Sequence, residues 1–213
     1  MENVINVACI HCKPVLNVNS EIENFLSPGF IYVAMGTSVK ASGMPKTLRD
    51  KFLNVFSTLP FNVIWKWEGS QIKNLPKNVR TAAWWPQQEL LGHPQLQAFI
   101  SHGGISSLQE AAYHGSPTLV LPIFCDQDGN AAQAEKLGYA IIMELAHFSE
   151  TEFREKILRI AAQKNNSYRN AARRRRILMQ DIPMQSKMLA VWWVLYVIRH
   201  NGAAHLKSTA RYL

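Results

Sequence analysis

The chain has 213 residues, 47% of them hydrophobic and 18% charged, which excludes a disordered tail and provides for one good core with at most a small appendage. A formal net charge of +8 favours anionic partners, whether phosphates, nucleic acid or an acidic membrane surface, without choosing among them. Three cysteines, Cys9, Cys12 and Cys125, are too few and odd in number for a disulfide framework.

In chain order, the first residues lack the basic start and long apolar run of a signal peptide. The first two dozen read as an extended leader. Cys9-x-His11-Cys12 has a metal-like look, but no second ligand pair follows at finger spacing, so no metal is expected. Phe30 to Met35 reads as a buried strand, turned by Gly36-Thr37-Ser38. Pro45 to Leu59 has helical spacing, with Leu48, Phe52, Val55 and Phe56 on one face. Strands follow at Phe61–Trp67 and Val79–Ala83, then a one-turn helix at Pro86–Leu91. Ala98 to Ser101 is a strand, His102-Gly103-Gly104 a tight turn, and Ile105 to Tyr113 a helix. A strand at 118–122, a helix at 127–137 and a strand at 140–143 come next. Helices at about 149–163, 165–179 and 184–200 end the ordered part. The longest apolar run, Leu189 to Ile198, falls short of the roughly 20 residues needed to span a bilayer. The expected layout is a leader or linker remnant at 1–25, one domain at 26–200 and a tail at 201–213. The run Arg173 to Arg176 reads as a solvated helix face; no nucleic-acid-binding motif accompanies it, so no nucleic acid is expected as a partner.

Strands alternating with helices predict an α/β domain, a parallel sheet with helices on both faces. Ligands of such sheets sit at the carboxyl ends of the strands, which here carry Gly, hydroxyl, amide, imidazole and carboxylate groups. His102-Gly103-Gly104 before a helix offers close backbone approach and free N–H groups to a diphosphate, or is a turn beside a structural histidine. It is neither a GxxxxGK[ST] loop nor a GxGxxG fingerprint. Glu110, eight residues beyond His102, suits the two hydroxyls of a ribose, or is a surface glutamate. Trp84 offers a stacking face for a nucleobase, with Gln87 in bonding reach, or Trp84-Trp85 is a core pair. Asp126-Gln127 suits vicinal sugar hydroxyls, or Asp126 is a helix cap. Thr37 is a phosphate ligand or a turn hydroxyl.

Read in order, Trp84-x-Pro86-Gln87, His93-Pro94, Phe99, His102-Gly103-Gly104, Glu110, His114-Gly115, Pro117, Pro122 and Asp126-Gln127 form one signature. The chain resembles the UDP-glycosyltransferase family, especially the animal UDP-glucuronosyltransferases, with Asn130 to Gly138 and Trp192-Trp193 nearest to arthropod members. The likeness runs from Ile10-His11 to His205-Leu206.

The resemblance implies the C-terminal, Rossmann-like half of a GT-B fold. It implies that Trp84 stacks on uracil and Gln87 touches the nucleoside. Glu110 holds the ribose; Gly36, Thr37, His102, Gly104 and Ser106 lie at the diphosphate; Asp126 and Gln127 read the sugar. It further implies metal-free, inverting transfer from a UDP-sugar, UDP-glucose or UDP-glucuronate, to a small lipophilic acceptor. The family's catalytic base belongs to an N-terminal domain, so no catalytic residue is expected in this chain. Family members are endoplasmic-reticulum membrane proteins, whereas this sequence shows neither signal peptide nor spanning helix and reads as soluble. Ser106 stands where many members carry asparagine, and Lys187-Met188 replaces a commonly acidic pattern. The alternative is an inactive donor-binding module that associates with full-length transferases.

Overall fold

The computed structural model describes residues 4–7, 9–15, 20–161 and 167–206. Its centre is a six-stranded parallel sheet of β1 (Phe30–Ala34), β2 (Asn62–Lys66), β3 (Val79–Ala82), β4 (Leu96–Ser101), β5 (Thr118–Val120) and β6 (Ala140–Ile142). The strand order is β3-β2-β1-β4-β5-β6, the doubly wound arrangement expected from the alternation of elements. β1 and β4 are buried along their whole length because helices cover both faces, which is why β1 runs apolar without alternation and the polar Gln97 and Ser101 of β4 are buried.

The side chains of β1 divide between two cores. Ile31 and Val33 point to one face, packed under α2 (Lys46–Ser57) and α6 (Glu150–Ala161). Phe30, Tyr32 and Ala34 point to the other, with α1 (Ser20–Leu26), α3 (Gln87–Leu91) and Ala111 of α4 (Ile105–His114). α5 (Gln127–Lys136) and α7 (Ser167–Gln180) share a third, smaller cluster with β5 and β6. Phe52 is the hub of the first core, its ring lying 4.7 Å from Phe153, 5.7 Å from Phe56 and 5.9 Å from both Trp65 and Phe148.

Each expected strand is present, and the helices from Lys46 onward fall within a few residues of their expected bounds. α1 is the departure. It forms where an extended leader was expected, and it buries Ile22 and Leu26, one turn apart, before Ser27-Pro28-Gly29 stops it. At the other end a 3-10 turn, Ala204–Leu206, occupies part of the expected tail. The join between the helices expected at 149–163 and 165–179, and the ends of the chain, lie outside the described residues.

Arg173, Arg174 and Arg176 are exposed on α7, while Ala172 beside them is buried, so the basic run is a solvated face. α8 (Ser186–Arg199) buries none of its residues and leaves Val191, Trp192, Val194, Leu195, Val197 and Ile198 exposed. No helix among the described residues is long and apolar enough to cross a membrane.

Phe52→Ala removes the ring shared by four aromatic neighbours from a fully buried position. The expected cost is about 3–5 kcal/mol, read from urea unfolding. A loss below about 1 kcal/mol would mean that this cluster does not hold α2 and α6 to the sheet.

Candidate functional site

The strand order reverses between β1 and β4, and their chain continuations diverge there, opening a crevice at the carboxyl edge of the sheet. A cavity of about 510 Å³ occupies it. Four loops supply its walls. Gly36 and Thr37 come from the end of β1, and Trp84 and Gln87 from the approach to α3. His102, Gly104, Ser106 and Glu110 come from the end of β4 and from α4, and Asp126 and Gln127 from the start of α5. Every residue expected at the donor site therefore lines this one space.

His102 sets the spacing of the two central loops. Its buried ring lies so close to both glycines that a Cβ at Gly36 would come within 2.5 Å of its Cε1, and one at Gly104 within 2.6 Å of its Nε2. Gly36 also takes a φ of +81°, which side-chain-bearing residues rarely adopt. Burial pulls the imidazole below its ordinary pKa, with Asp126 opposing the shift and the Lys66 charge reinforcing it. Its Nδ1 is buried and has no hydrogen-bond partner among the described residues. Gly104 is the N-cap of α4 and provides no side-chain cap, so the first amides of the helix point at the cavity without a capping oxygen.

α4 begins only at Ile105, so His102 belongs to the loop before the helix and Glu110 to the helix itself, and both line the cavity. The glutamate is largely buried rather than on the open surface. Its Oε2 accepts a 2.6 Å bond from Gln87 Nε2, and its Oε1 lies 3.4 Å from His11 Nε2. Burial raises its carboxyl above the ordinary value, against the pull of Gln87 and His11. The network continues through Gln87, whose Nε2 also donates to Ser107 Oγ at 3.2 Å and whose Oε1 accepts from Tyr32 Oη at 3.2 Å.

The two tryptophans part company. Trp85 is half-buried and donates its Nε1–H to Trp65 O at 3.1 Å, a structural role. Trp84 is 71% exposed beside the cavity, an apolar platform with no aromatic ring stacked on it among the described residues. Asp126 makes no capping bond to α5; its Oδ2 accepts from Asn130 Nδ2 at 2.9 Å. Gln127 spends its Oε1 on the amides of Ile123 and Phe124, at 2.8 and 3.1 Å, so any ligand bond would come from its Nε2. Asp126-Gln127-Asp128 is an Asp-x-Asp spelling, yet at the mouth of a helix residues two apart diverge around the axis and do not form a metal pincer.

Lys66 was not anticipated. This buried lysine at the end of β2 donates to Gly36 O at 2.7 Å and pairs with Glu68 Oε1 at 2.6 Å, and its Nζ stands 5.7 Å from the Trp84 ring. Its signal was its place as the carboxyl-terminal residue of a strand, the same rule that picked out the other loops. Tyr32 and Ser107 were missed because a strand tyrosine and a helix serine carry no mark of their own.

The chain matches the family described as UDP-glucoronosyl and UDP-glucosyl transferase over residues 1–213. It belongs to that family. Among curated members it is 38% identical over 210 residues to UDP-glycosyltransferase UGT5 of Dactylopius coccus, covering 97% of this chain and 40% of the relative. It is 32% identical over 214 residues to UDP-glucuronosyltransferase 2B7 of Homo sapiens, covering 99% of this chain and 40% of that protein. It thus spans about two fifths of the length of these UDP-glycosyltransferases. Solved glycosyltransferases share the fold. Spinosyn forosaminyltransferase SpnP superposes with a TM-score of 0.71 at 20% identity over 85% of this chain and 47% of that one. VinC, solved in complex with dTDP, does so with a TM-score of 0.66 at 21% identity over 83% of this chain and 43% of that one.

In this UDP-glycosyltransferase chain, Gly104→Ala is expected to destabilise the fold by about 1–3 kcal/mol, because the added methyl meets the His102 ring. Most of that cost should vanish in a His102→Ala background, measured as a double-mutant cycle by urea unfolding. Equal costs in both backgrounds would show that the ring does not dictate the glycine.

Proposed function

We propose that this chain is the donor-binding half of an inverting UDP-glycosyltransferase, which moves a hexosyl group from UDP-glucose or UDP-glucuronate to a small lipophilic acceptor. The observation that carries the reading is the single cavity that gathers a stacking ring, a carboxylate–amide pair, an uncapped helix N-terminus and a second acid–amide pair. Together they offer one partner to each part of a nucleotide sugar.

Uracil stacks on the exposed Trp84, where base–aromatic contact is worth roughly 1–3 kcal/mol. The ribose hydroxyls take Glu110, displacing His11 from one oxygen while Gln87 holds the other. The diphosphate lies against the loop of Gly36 and Thr37, the amides at the start of α4, Gly104 and Ser106. His102, whose pKa burial lowers, donates a ring N–H to a phosphate oxygen. Asp126 and the Nε2 of Gln127 face the sugar hydroxyls. Ser106 offers a hydroxyl to the diphosphate, a shorter reach than an amide side chain in that place.

In the transfer, the acceptor oxygen attacks the anomeric carbon from the face opposite UDP as the glycosidic C–O bond to phosphate breaks. Negative charge grows on the departing β-phosphate. In this reading the α4 amides, the helix dipole and Lys66 meet that charge, a metal-free solution in which donors are oriented before reaction. The base that takes the acceptor proton comes from another domain. The exposed apolar face of α8 suits burial against such a domain.

Trp84→Ala and Glu110→Ala should each weaken UDP binding by at least about 1 kcal/mol, about fivefold or more, in calorimetric titration of the chain. Asp126→Ala should alter the preference among UDP-sugars more than the affinity for UDP itself. Unchanged UDP affinity in both of the first two variants would overturn the assignment.

A further inference from the structure

A turn outside the cavity carries chemistry that donor binding does not use. Cys9-Ile10-His11-Cys12 closes on itself, with Cys12 N–H donating to Cys9 O at 2.9 Å and the two sulfurs joined as a disulfide. The turn is fastened to the domain. Lys13 N–H donates to Gln88 Oε1 at 2.9 Å, Gln88 Nε2 donates to His11 O at 3.0 Å, and Lys13 Nζ pairs with Glu89 at 2.8 Å.

The ligand atoms of Cys9, His11 and Cys12 lie within 4.8 Å of one another. In tetrahedral zinc sites the metal sits about 2.3 Å from sulfur and about 2.0 Å from nitrogen, so neighbouring ligand atoms stand roughly 3.5–4 Å apart. Reduction of the disulfide frees the two sulfurs to move apart to that spacing, and the histidine nitrogen, no more than 4.8 Å from either, is already within reach of the same centre. His11 Nε2 faces Glu110 Oε1 at 3.4 Å, which leaves Nδ1 as the ring nitrogen for a metal and places a carboxylate behind the imidazole. A carboxylate in that position fixes the tautomer and raises the basicity of a metal-binding histidine.

We propose that, with its disulfide reduced, this turn is a binding site for a soft divalent cation such as zinc, held by Cys9 Sγ, Cys12 Sγ and His11 Nδ1, with Glu110 orienting the imidazole. The absence of a second ligand pair at finger spacing rules out a four-residue structural site but leaves a three-ligand site with an open fourth position. The chemistry balances with a phosphine as reductant. Phosphorus gives two electrons to the S–S bond and leaves as the phosphine oxide with an oxygen from water. The two water protons end on the thiols, and the metal displaces both on binding. Softness selects the cation, because two thiolates and an imidazole suit zinc and cobalt rather than magnesium or calcium.

Cobalt(II) titration of the phosphine-reduced full chain tests this without nucleotide, so its outcome is separate from that of UDP binding. The expected result is one equivalent bound, thiolate-to-cobalt charge transfer in the near ultraviolet, release of two protons, and displacement by zinc. The oxidised chain and the Cys9→Ser and Cys12→Ser variants should lose the band while keeping their far-ultraviolet circular dichroism. Cys125→Ser, which removes the exposed free thiol, should keep it. Glu110→Gln should lower cobalt affinity about 10–100-fold. A reduced chain without the band, or a band that survives Cys9→Ser or Cys12→Ser, would overturn the site; unchanged affinity in Glu110→Gln would remove the carboxylate from it.

Discussion

The imidazole of His102 fills the gap where two adjacent parallel strands, β1 and β4, send their chains apart, and both loops must make room for it. A methyl group on Gly36 or on Gly104 would come within 3 Å of the ring. With the ring in place, the loop after β1 and the start of α4 are held a fixed distance apart, and the helix amides open onto the cavity rather than onto a neighbouring side chain. Lys66 tightens the same region by holding Gly36 O and standing beside Trp84. The rest of the crevice, from the exposed indole to the acid–amide pair of α5, is arranged around this spacing.

The polar groups of the crevice are already committed to one another. Tyr32, Gln87, Ser107, Glu110 and His11 form a continuous chain of hydrogen bonds and charge contacts, and Gln127 and Asp126 hold their own loop and helix. A ligand at these groups exchanges bonds, which keeps the net gain per contact modest, whereas at the start of α4 it meets uncapped amides. The link between Glu110 and His11 also places the cysteine turn one imidazole away from the nucleotide site, so the two lie within one connected network.

Most of this architecture was legible in the sequence, for a physical reason. Fully buried parallel strands must be continuous apolar runs, and helices packed on one side must show a helical stripe, so Phe30 to Met35 and Phe52, Val55, Phe56 announced themselves. Site residues were legible because they follow strand ends, as His102 follows Ser101. What was hidden lacked such a mark. α1 is short and runs straight into Ser27-Pro28-Gly29, so its Ile22 and Leu26 read as part of a leader. Lys66 reads as one more strand residue until the fold turns it toward Gly36. No periodicity separates Trp84 from Trp85; only the structure exposes the first and ties the second to Trp65 O. Likewise Asp126 has the sequence of a cap, but its carboxylate goes to Asn130.

The central claim is that the crevice between β1 and β4 receives a nucleoside diphosphate along a fixed direction. A crystal structure of the chain with bound UDP tests it most directly. The account predicts uracil stacked on the Trp84 face, the ribose within hydrogen-bond distance of Glu110, and the β-phosphate at the N–H groups of the first turn of α4 with His102 beside it. UDP bound on another surface, or in this crevice with the phosphates at Trp84 and the base at α4, would contradict it.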